Sequence, residues 1–402
     1  MKKINSIFLT FLIGIACLAS GYYFGSKGYN VKIKTDSIPI TIENKNPPEN
    51  SNADMTIFWQ VWDDLNKKHI DKPLNAQKLV WGATKGMVAA VGDPYTLYLN
   101  PNDNQSNDEI LSGEYEGIGA ELTMKDDLVT IVAPFDDSPA QKAGLKPGDK
   151  ILKVNGEETY DLNLTEVVKK IKGKRGTEVT LYIGRVGEDP FDVTLTRDSI
   201  TLDTVSWKEE GNGIVYIRLS RFGERSAQEW DDAVSEIIVK HPDTKTIVLD
   251  LRRNPGGFLG TAVHIASDFI SKGTIVSERF SNGTENKISV DHAGVLLDKN
   301  IVVLIDEGSA SASEILSGAL RERADAVLVG QKSFGKGSVQ EPIDYNDGSG
   351  LNVTIAKWYT PDGISIHQNG LEPDEKVEIT KEDAKEGKDT QLEKAMDIAK
   401  NL

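Results

Sequence analysis

The hydrophobic pattern of this chain changes period along its length. At the N-terminus it is nearly continuous. Lys2 and Lys3 precede "INSIFLTFLIGIACLASGYYFGS", and no charge appears from Ile4 through Ser26. A cleaved signal carries an apolar core of about 7–15 residues, whereas a spanning helix needs about 20. The length, with Tyr22 and Tyr23 at its outer end, predicts an uncleaved signal anchor over 1–27, a cleaved signal peptide being the alternative. The protein is then single-pass in the cell membrane with everything after Lys27 outside the cytoplasm, or secreted if the signal is cut. Residues 28–52 end in the polar, Pro-bearing "ENKNPPENSN" and read as a linker.

Over 53–113 the spacing turns helical. Phe58, Trp59, Trp62 and Leu65 share a face, as do Leu79, Ala83 and Met87 with Val80 and Val88 beside them. Such a region is either a helical cap on a core or an arm through which two copies form a homodimer.

From 114 to 197 short β-type runs, "LVTIV", "KILKVN", "EVTLYIG" and "FDVTLTR", are punctuated by Gly and Pro. A short helix is expected from Ser138 to Gly144. Residues 164–172, "LTEVVKKIK", form a second, with Thr165 as its cap. From 198 to 380 strands alternate with helices. "GIVYIRLSRF" precedes the helix "SAQEWDDAVSEIIVK", capped by Ser226; "KTIVLDLR", "IVVLI" and "AVLVG" are strands among further helices. That alternation argues for an α/β layered domain. The charged residues 381–402 read as a C-terminal helix.

Composition narrows the function. A net charge of −16 over 402 residues argues against nucleic-acid binding, which needs a basic surface. The single cysteine, Cys17, excludes intrachain disulfides, a Cys-based metal site and a Cys nucleophile in the body of the chain. No cofactor and no metal are expected.

Candidate chemistry centres on "DEGSASASEI", Asp306 to Ile315, directly after a buried strand. Ser311 followed by Glu314 matches a capping box. A serine at a strand-to-helix turn also sits where helix-end N–H groups favour developing negative charge. A serine nucleophile needs a proton acceptor. None of His69, His241, His264, His292 and His367 stands in a triad motif, and His264 reads as a structural residue within an amphipathic helix. Lys336, between two glycines in "KSFGKGSVQ", is the other candidate base. At its reference pKa of about 10.4 a lysine is neutral in roughly one molecule in 2,500 at pH 7, so it needs a depression of about 3 units, which a low-dielectric pocket supplies. Gln340 is placed to accept a bond from it.

Two resemblances add to this reading. The "SPAxxAGLKPGDxIxxVNG" pattern from Ser138 to Gly156 resembles a PDZ domain of the bacterial protease type, covering 114–197. It implies that Gly117, Ile118, Gly119 and Ala120 offer backbone N–H groups to a peptide's terminal carboxylate, the peptide adding as a strand. "GSASASEI", "FGKGSVQ", "LDLRRNPGG", "TPDGISI" and "NGLEPD" together resemble the carboxy-terminal processing, or tail-specific, proteases over 53–380. This implies Ser311 as nucleophile, Lys336 as general base, Gln340 as the orienting residue, and Gly256 or Gly257 with Ala312 as oxyanion-hole donors. It further implies a crotonase-like α/β serine protease core over 198–380, and protein or peptide substrates with free C-terminal tails. Where many members have Arg in "IRG", this chain has Lys172, which puts a regulatory role of that position in doubt. Other classes are a catalytically inactive PDZ scaffold that binds protein tails, and a nucleotide-binding protein. "GQKSFGKG" approaches a phosphate loop, but has Gly337 where Ser or Thr should hold magnesium.

Overall fold

A computed structural model describes residues 6–26, 29–33, 40–44, 54–135 and 137–402. The chain divides into two compact units, Met1–Gln77 and Lys78–Leu402.

The first unit holds α1 (Ser6–Ser26), an antiparallel hairpin of β1 (Tyr29–Ile33) and β2 (Ile40–Asn44), and α2 (Thr56–Lys68). The expected linker therefore contains a hairpin, and its Pro-bearing end, 45–52, lies outside the described residues. The spanning anchor is corrected: among the described residues no helix is long and apolar enough to cross a membrane. The membrane as a partner and the single-pass cell-membrane location fall with it. Helix α2 forms as its spacing predicts, and none of its residues is buried.

The second unit takes α3 (Ala76–Ala89) from Lys78 onward, then β3 (Leu97–Leu99) and α4 (Pro101–Ser112). Then β4 (Glu114–Gly117) pairs antiparallel with β11 (Asp198–Thr201), and everything between them forms a separate lobe. Its six-stranded sheet comprises β5 (Ala120–Lys125), β6 (Leu128–Pro134), β7 (Lys150–Val154), β8 (Glu157–Glu158), β9 (Glu178–Gly184) and β10 (Phe191–Thr196). The main path runs β10-β9-β7-β6-β5, so β5 is an edge. Helices α5 (Pro139–Lys142) and α6 (Leu164–Ile171) complete a core of Val129, Ile151, Val167, Val179 and Leu181. The helix expected from Ser138 to Gly144 forms over Pro139–Lys142, and the Ser138 hydroxyl caps it by accepting the Gln141 N–H at 3.1 Å. Helix α6 is capped by Asn163 in a full capping box with Glu166, not by Thr165, which lies inside the first turn.

The larger lobe is built on a six-stranded sheet of order β12-β13-β14-β17-β18-β21. Its strands are β12 (Val205–Gly211), β13 (Ile214–Leu219), β14 (Thr246–Asp250), β17 (Asn300–Ile305), β18 (Val327–Gly330) and β21 (Glu375–Lys376). Only β12 runs antiparallel to its neighbour. Strand periodicity splits the core into two layers. Ile217, Ile247, Leu249 and Val303 face α7 (Ser226–Lys240), α8 (Leu259–Phe269) and α9 (Ala312–Ala324). Val248, Val302 and Val329 face Ala395 and Ala399 on the opposite side. The last two belong to α11 (Thr390–Asn401), which α10 (Lys381–Glu386) precedes, so the single C-terminal helix expected is two. Arg252 ties this layer down, its guanidinium meeting Asp250 at 2.6 Å and Asp389 at 2.7 Å. Ser226 is not the side-chain cap of α7; it is fully buried, and its hydroxyl accepts the Gly223 N–H at 2.7 Å.

The expected crotonase-like core is also corrected. Beside the mostly parallel sheet stands a five-stranded antiparallel one. It comprises β15 (Thr274–Phe280), β16 (Glu285–Ser289), β19 (Ser338–Asp344), β20 (Gly350–Tyr359) and β3. Its strands supply Gln340 and border Lys336, so the site lies between two sheets, not on one layered α/β unit.

Candidate active site

Strand β17 ends at Ile305 and α9 begins at Ala312; the turn between them carries Ser309 and Ser311, and the first turn of the helix carries Ser313. Ser309 and Ser313 are fully buried. The Ser309 hydroxyl donates to Leu251 O at 2.8 Å, and that of Ser313 to Asn254 O at 2.9 Å. They fasten the turn to the neighbouring "RRNPGG" loop. Ser311, between them, is half-buried, at φ 53° and ψ −114°. A non-Gly residue in that region is strained, and such strain concentrates at functional turns.

Asn254 organises the facing loop. It is fully buried, its Nδ2 donates to Leu219 O at 2.8 Å, and its carbonyl accepts the Ala310 N–H at 3.0 Å. Its Oδ1 takes the Gly256 N–H at 2.9 Å. The Gly256 N–H is thus already committed. Those of Gly257 and Ala312 have no hydrogen-bond acceptor among the described residues. A Cβ on Gly256 would lie 2.8 Å from Ser311 Cβ and 2.9 Å from Ala312 N, so only glycine lets the two loops approach this closely.

Glu314 joins these loops to the lysine. It is fully buried, and its carboxylate accepts four donors. These are the N–H groups of Ser311 (2.8 Å), Gly335 (2.7 Å) and Lys336 (3.0 Å), and the Ser333 hydroxyl (2.5 Å). Burial pushes its carboxyl up, against the pull of those donors. The Lys336 carbonyl accepts the indole N–H of buried Trp358 at 2.9 Å, so the lysine backbone is held from both sides. Its Nζ lies 5.5 Å from the centre of the Tyr95 ring and makes no ion pair among the described residues. Burial pushes the amine below the ordinary lysine range, and the charges of Asp93 and Glu314 oppose this only in part. Gln340 lies on β19, but its amide nitrogen turns to the hydroxyls of Ser338 (2.9 Å) and Thr354 (3.3 Å), and no bond to Lys336 forms among the described residues.

The structure therefore brings Ser311, Ala312, Gly256, Gly257 and Lys336 together through Asn254 and Glu314. Of these two organisers, the sequence reading gave Glu314 only a capping role and missed Asn254. The Ser-x-x-Glu spacing was the available signal for the first. A lone Asn before Pro–Gly–Gly gives none. Asp93 and Tyr95, from the N-terminal helical region, were also missed.

In the smaller lobe, Gly117, Ile118 and Gly119 are buried where β4 passes into the edge strand β5. The Ile118 and Gly119 carbonyls accept the N–H groups of Ala140 (2.8 Å) and Phe135 (2.9 Å), whereas their own N–H groups have no acceptor among the described residues. Ala120 opens β5, whose outer edge faces no other strand. Lys172 pairs with Glu109 at 2.9 Å and lies over the Tyr115 ring at 4.6 Å.

Residues 213–377 match the family model of peptidase family S41, residues 130–185 a PDZ domain, and residues 15–103 the activating protease CtpB N-terminal domain. The chain is 41% identical over 323 residues to "Carboxy-terminal processing protease CtpA" of Bacillus subtilis, covering 80% of this chain and 68% of that protein. It is 41% identical over 332 residues to "Probable CtpA-like serine protease" of Staphylococcus aureus, covering 82% and 66%. It thus spans about two thirds of the length of these relatives. The fold matches that of the "Putative S41 protease from Bacteroides fragilis", with a TM-score of 0.53 at 19% identity over 83% of this chain and 92% of that one, which replaces the crotonase-like expectation. Together these matches define a serine endopeptidase with a PDZ domain for substrate tails. The chain belongs to peptidase family S41, among the CtpA-like carboxy-terminal processing proteases.

Proposed function

We propose that the chain, read as a PDZ domain over 114–197 and a protease core over 198–380, cleaves polypeptides held by their C-terminal tails, using Ser311 and Lys336. The tail adds along β5 with its terminal carboxylate on the Ile118 and Gly119 N–H groups. A peptide bond upstream of that tail lies against Ser311. The Ser311 hydroxyl attacks the carbonyl carbon while neutral Lys336 takes its proton. The resulting oxyanion is met by the N–H groups of Gly257 and Ala312; one such donor contributes about 3 kcal/mol. Lys336 then protonates the leaving amine, the C–N bond breaks, and an ester on Ser311 remains. Water, deprotonated by Lys336, hydrolyses it. Gln340 orients the lysine once substrate enters.

The observation that carries this reading is the Glu314 carboxylate, which accepts the Ser311 and Lys336 N–H groups on one oxygen. A bare helix cap has no need of the second. The test is cleavage of an unfolded protein with an apolar C-terminus, comparing the parent with Ser311→Ala and Lys336→Ala. Cleavage by the parent alone is expected, with a serine-directed acylating probe labelling Ser311. Equal cleavage by all three, or no labelling of a parent that binds tails, overturns the dyad, the latter in favour of an inactive scaffold.

A further inference from the structure

On the protease lobe, α8 and the loop after β16 build a second side-chain constellation. His264 lies in α8, and Asp291 and His292 in that loop. Their ligand atoms all lie within 4.8 Å of one another. The imidazole rings lie with centroids 4.6 Å apart and planes 35° from parallel.

The ring nitrogens are sorted by their surroundings. His264 Nε2 meets Asp231 Oδ1, on α7, at 2.8 Å, and its Nδ1 is 3.9 Å from Asp291 Oδ2. His292 Nε2 meets Asp268 Oδ1 at 3.2 Å, and its Nδ1 is 2.6 Å from Asp291 Oδ1. Each histidine thus has one nitrogen on a carboxylate of its own and turns the other toward Asp291. A metal-bound histidine characteristically gives its second nitrogen to a carboxylate, which fixes the ring and raises its basicity. Here that outer layer is built twice, from separate elements.

The outer layer is itself held. Asp268 is buried, and its second oxygen accepts the Trp230 indole N–H at 2.7 Å. The loop is pressed onto the end of α8. The Asp291 N–H reaches Ser267 Oγ at 3.1 Å, and a Cβ on Gly294 would lie 2.3 Å from Ser267 O. The histidine side chains keep 27% and 31% of their surface exposed, and that of Asp291 43%, so a hydrated ion has access.

We propose that His264, His292 and Asp291 bind a divalent transition-metal ion of the zinc class, with Asp231 and Asp268 as positioning residues. Two imidazoles and one carboxylate with an open position for water suit zinc. In such a site, with bonds of about 2.0–2.1 Å, ligand atoms stand about 3.3 Å apart, so His264 Nδ1 closes on Asp291 from its 3.9 Å while His292 Nδ1 moves off from its 2.6 Å as the ion enters. The ion then joins α8 to the loop that follows β16, while Asp231 brings in α7. It takes no part in peptide hydrolysis and is a separate site.

The test uses the full chain stripped with a chelator and titrated with zinc by calorimetry, and with cobalt by visible absorption. One tight site is expected, with cobalt bands of four-coordinate intensity and a melting temperature that rises with zinc. His292→Ala and Asp291→Asn should each weaken zinc binding about 100-fold or more and abolish the thermal shift. Asp231→Asn should weaken it about 10-fold, and His241→Gln should leave it unchanged. Asp291→Asn keeps the side-chain shape at an exposed position, so its metal-free melting curve separates lost binding from lost folding. Absence of binding, weak six-coordinate cobalt bands, or equal affinity in parent, His292→Ala and Asp291→Asn overturns the proposal.

Discussion

The two lobes of the second unit build their sites from different materials. The PDZ lobe presents main-chain N–H groups at the mouth of an edge strand. The protease lobe presents two side chains, Ser311 and Lys336, on separate loops that one buried carboxylate holds together. A backbone site depends on shape and tolerates most side-chain changes around it. A side-chain site depends on a few buried polar groups, each of which must find its partners. The chemistry should therefore fail at single residues, whereas tail binding should fail mainly where the backbone itself is displaced.

The sharpest probe of that contrast is removal of the two groups proposed to react. Ser311→Ala and Lys336→Ala should each lower kcat by about 10⁴-fold or more while leaving the affinity for a tail peptide within twofold. Peptide binding by fluorescence anisotropy alongside single-turnover cleavage checks both halves. Next comes Glu314→Gln, which keeps the shape but sets an amide against at least one of four donors. A buried group left unpaired costs about 1–3 kcal/mol. The expected outcome is a kcat lower by about 100-fold with KM little changed, together with a lower melting temperature. An unchanged kcat would break the comparison.

The PDZ counterpart is Gly119→Ala. Gly119 sits at φ +72°, and its added Cβ would lie 2.4 Å from Ser138 Cβ. KM for tailed substrates should rise about 10-fold, with kcat at saturation preserved. A fall in kcat at unchanged KM would show that the lobes do not divide the work in this way. The smallest effect concerns pH. Because burial holds the Lys336 pKa below that of the unfolded chain, the unfolded state binds more protons between the two values. Stability contributed through this group therefore rises with pH across that window, and the buried ammonium is a cost below it. Activity should rise with pH to a plateau whose midpoint lies below the usual lysine range. Lys336→Met should raise the melting temperature at neutral pH by a few degrees, read by calorimetry.

Much of this arrangement was legible in the chain. The inner strands of the parallel sheet, β13, β14, β17 and β18, are short apolar runs between turn residues, which is how buried strands read. The capping box at Ser311 was visible because its two partners are three residues apart. The antiparallel sheet was not. "ENKIS" is polar and largely solvent-facing, with too few buried positions to show alternation. The cap of α6 was misplaced by two residues because Asn163 and Thr165 are both good cap residues and only the position of Glu166 decides between them. Asn254 and the cluster at His264 were hidden for a different reason. Their partners lie far away in sequence and meet only once the sheets are stacked, so no local pattern encodes them. The N-terminal run was read as a spanning anchor from its length and its freedom from charge, whereas no described helix is long and apolar enough to cross a membrane.

The pairing of β4 with β11 sets Gly117 directly opposite Asp198. The chain therefore enters and leaves the PDZ lobe through neighbouring residues, a few ångströms apart across one ladder. Segments whose ends lie side by side are the ones that chains accept as insertions. Seen as a product of descent, the lobe is a cassette. It can be lost, exchanged or retuned toward new tails while the gap it leaves in the protease stays the same width, so the choice of substrate and the means of cutting it are free to evolve at different speeds.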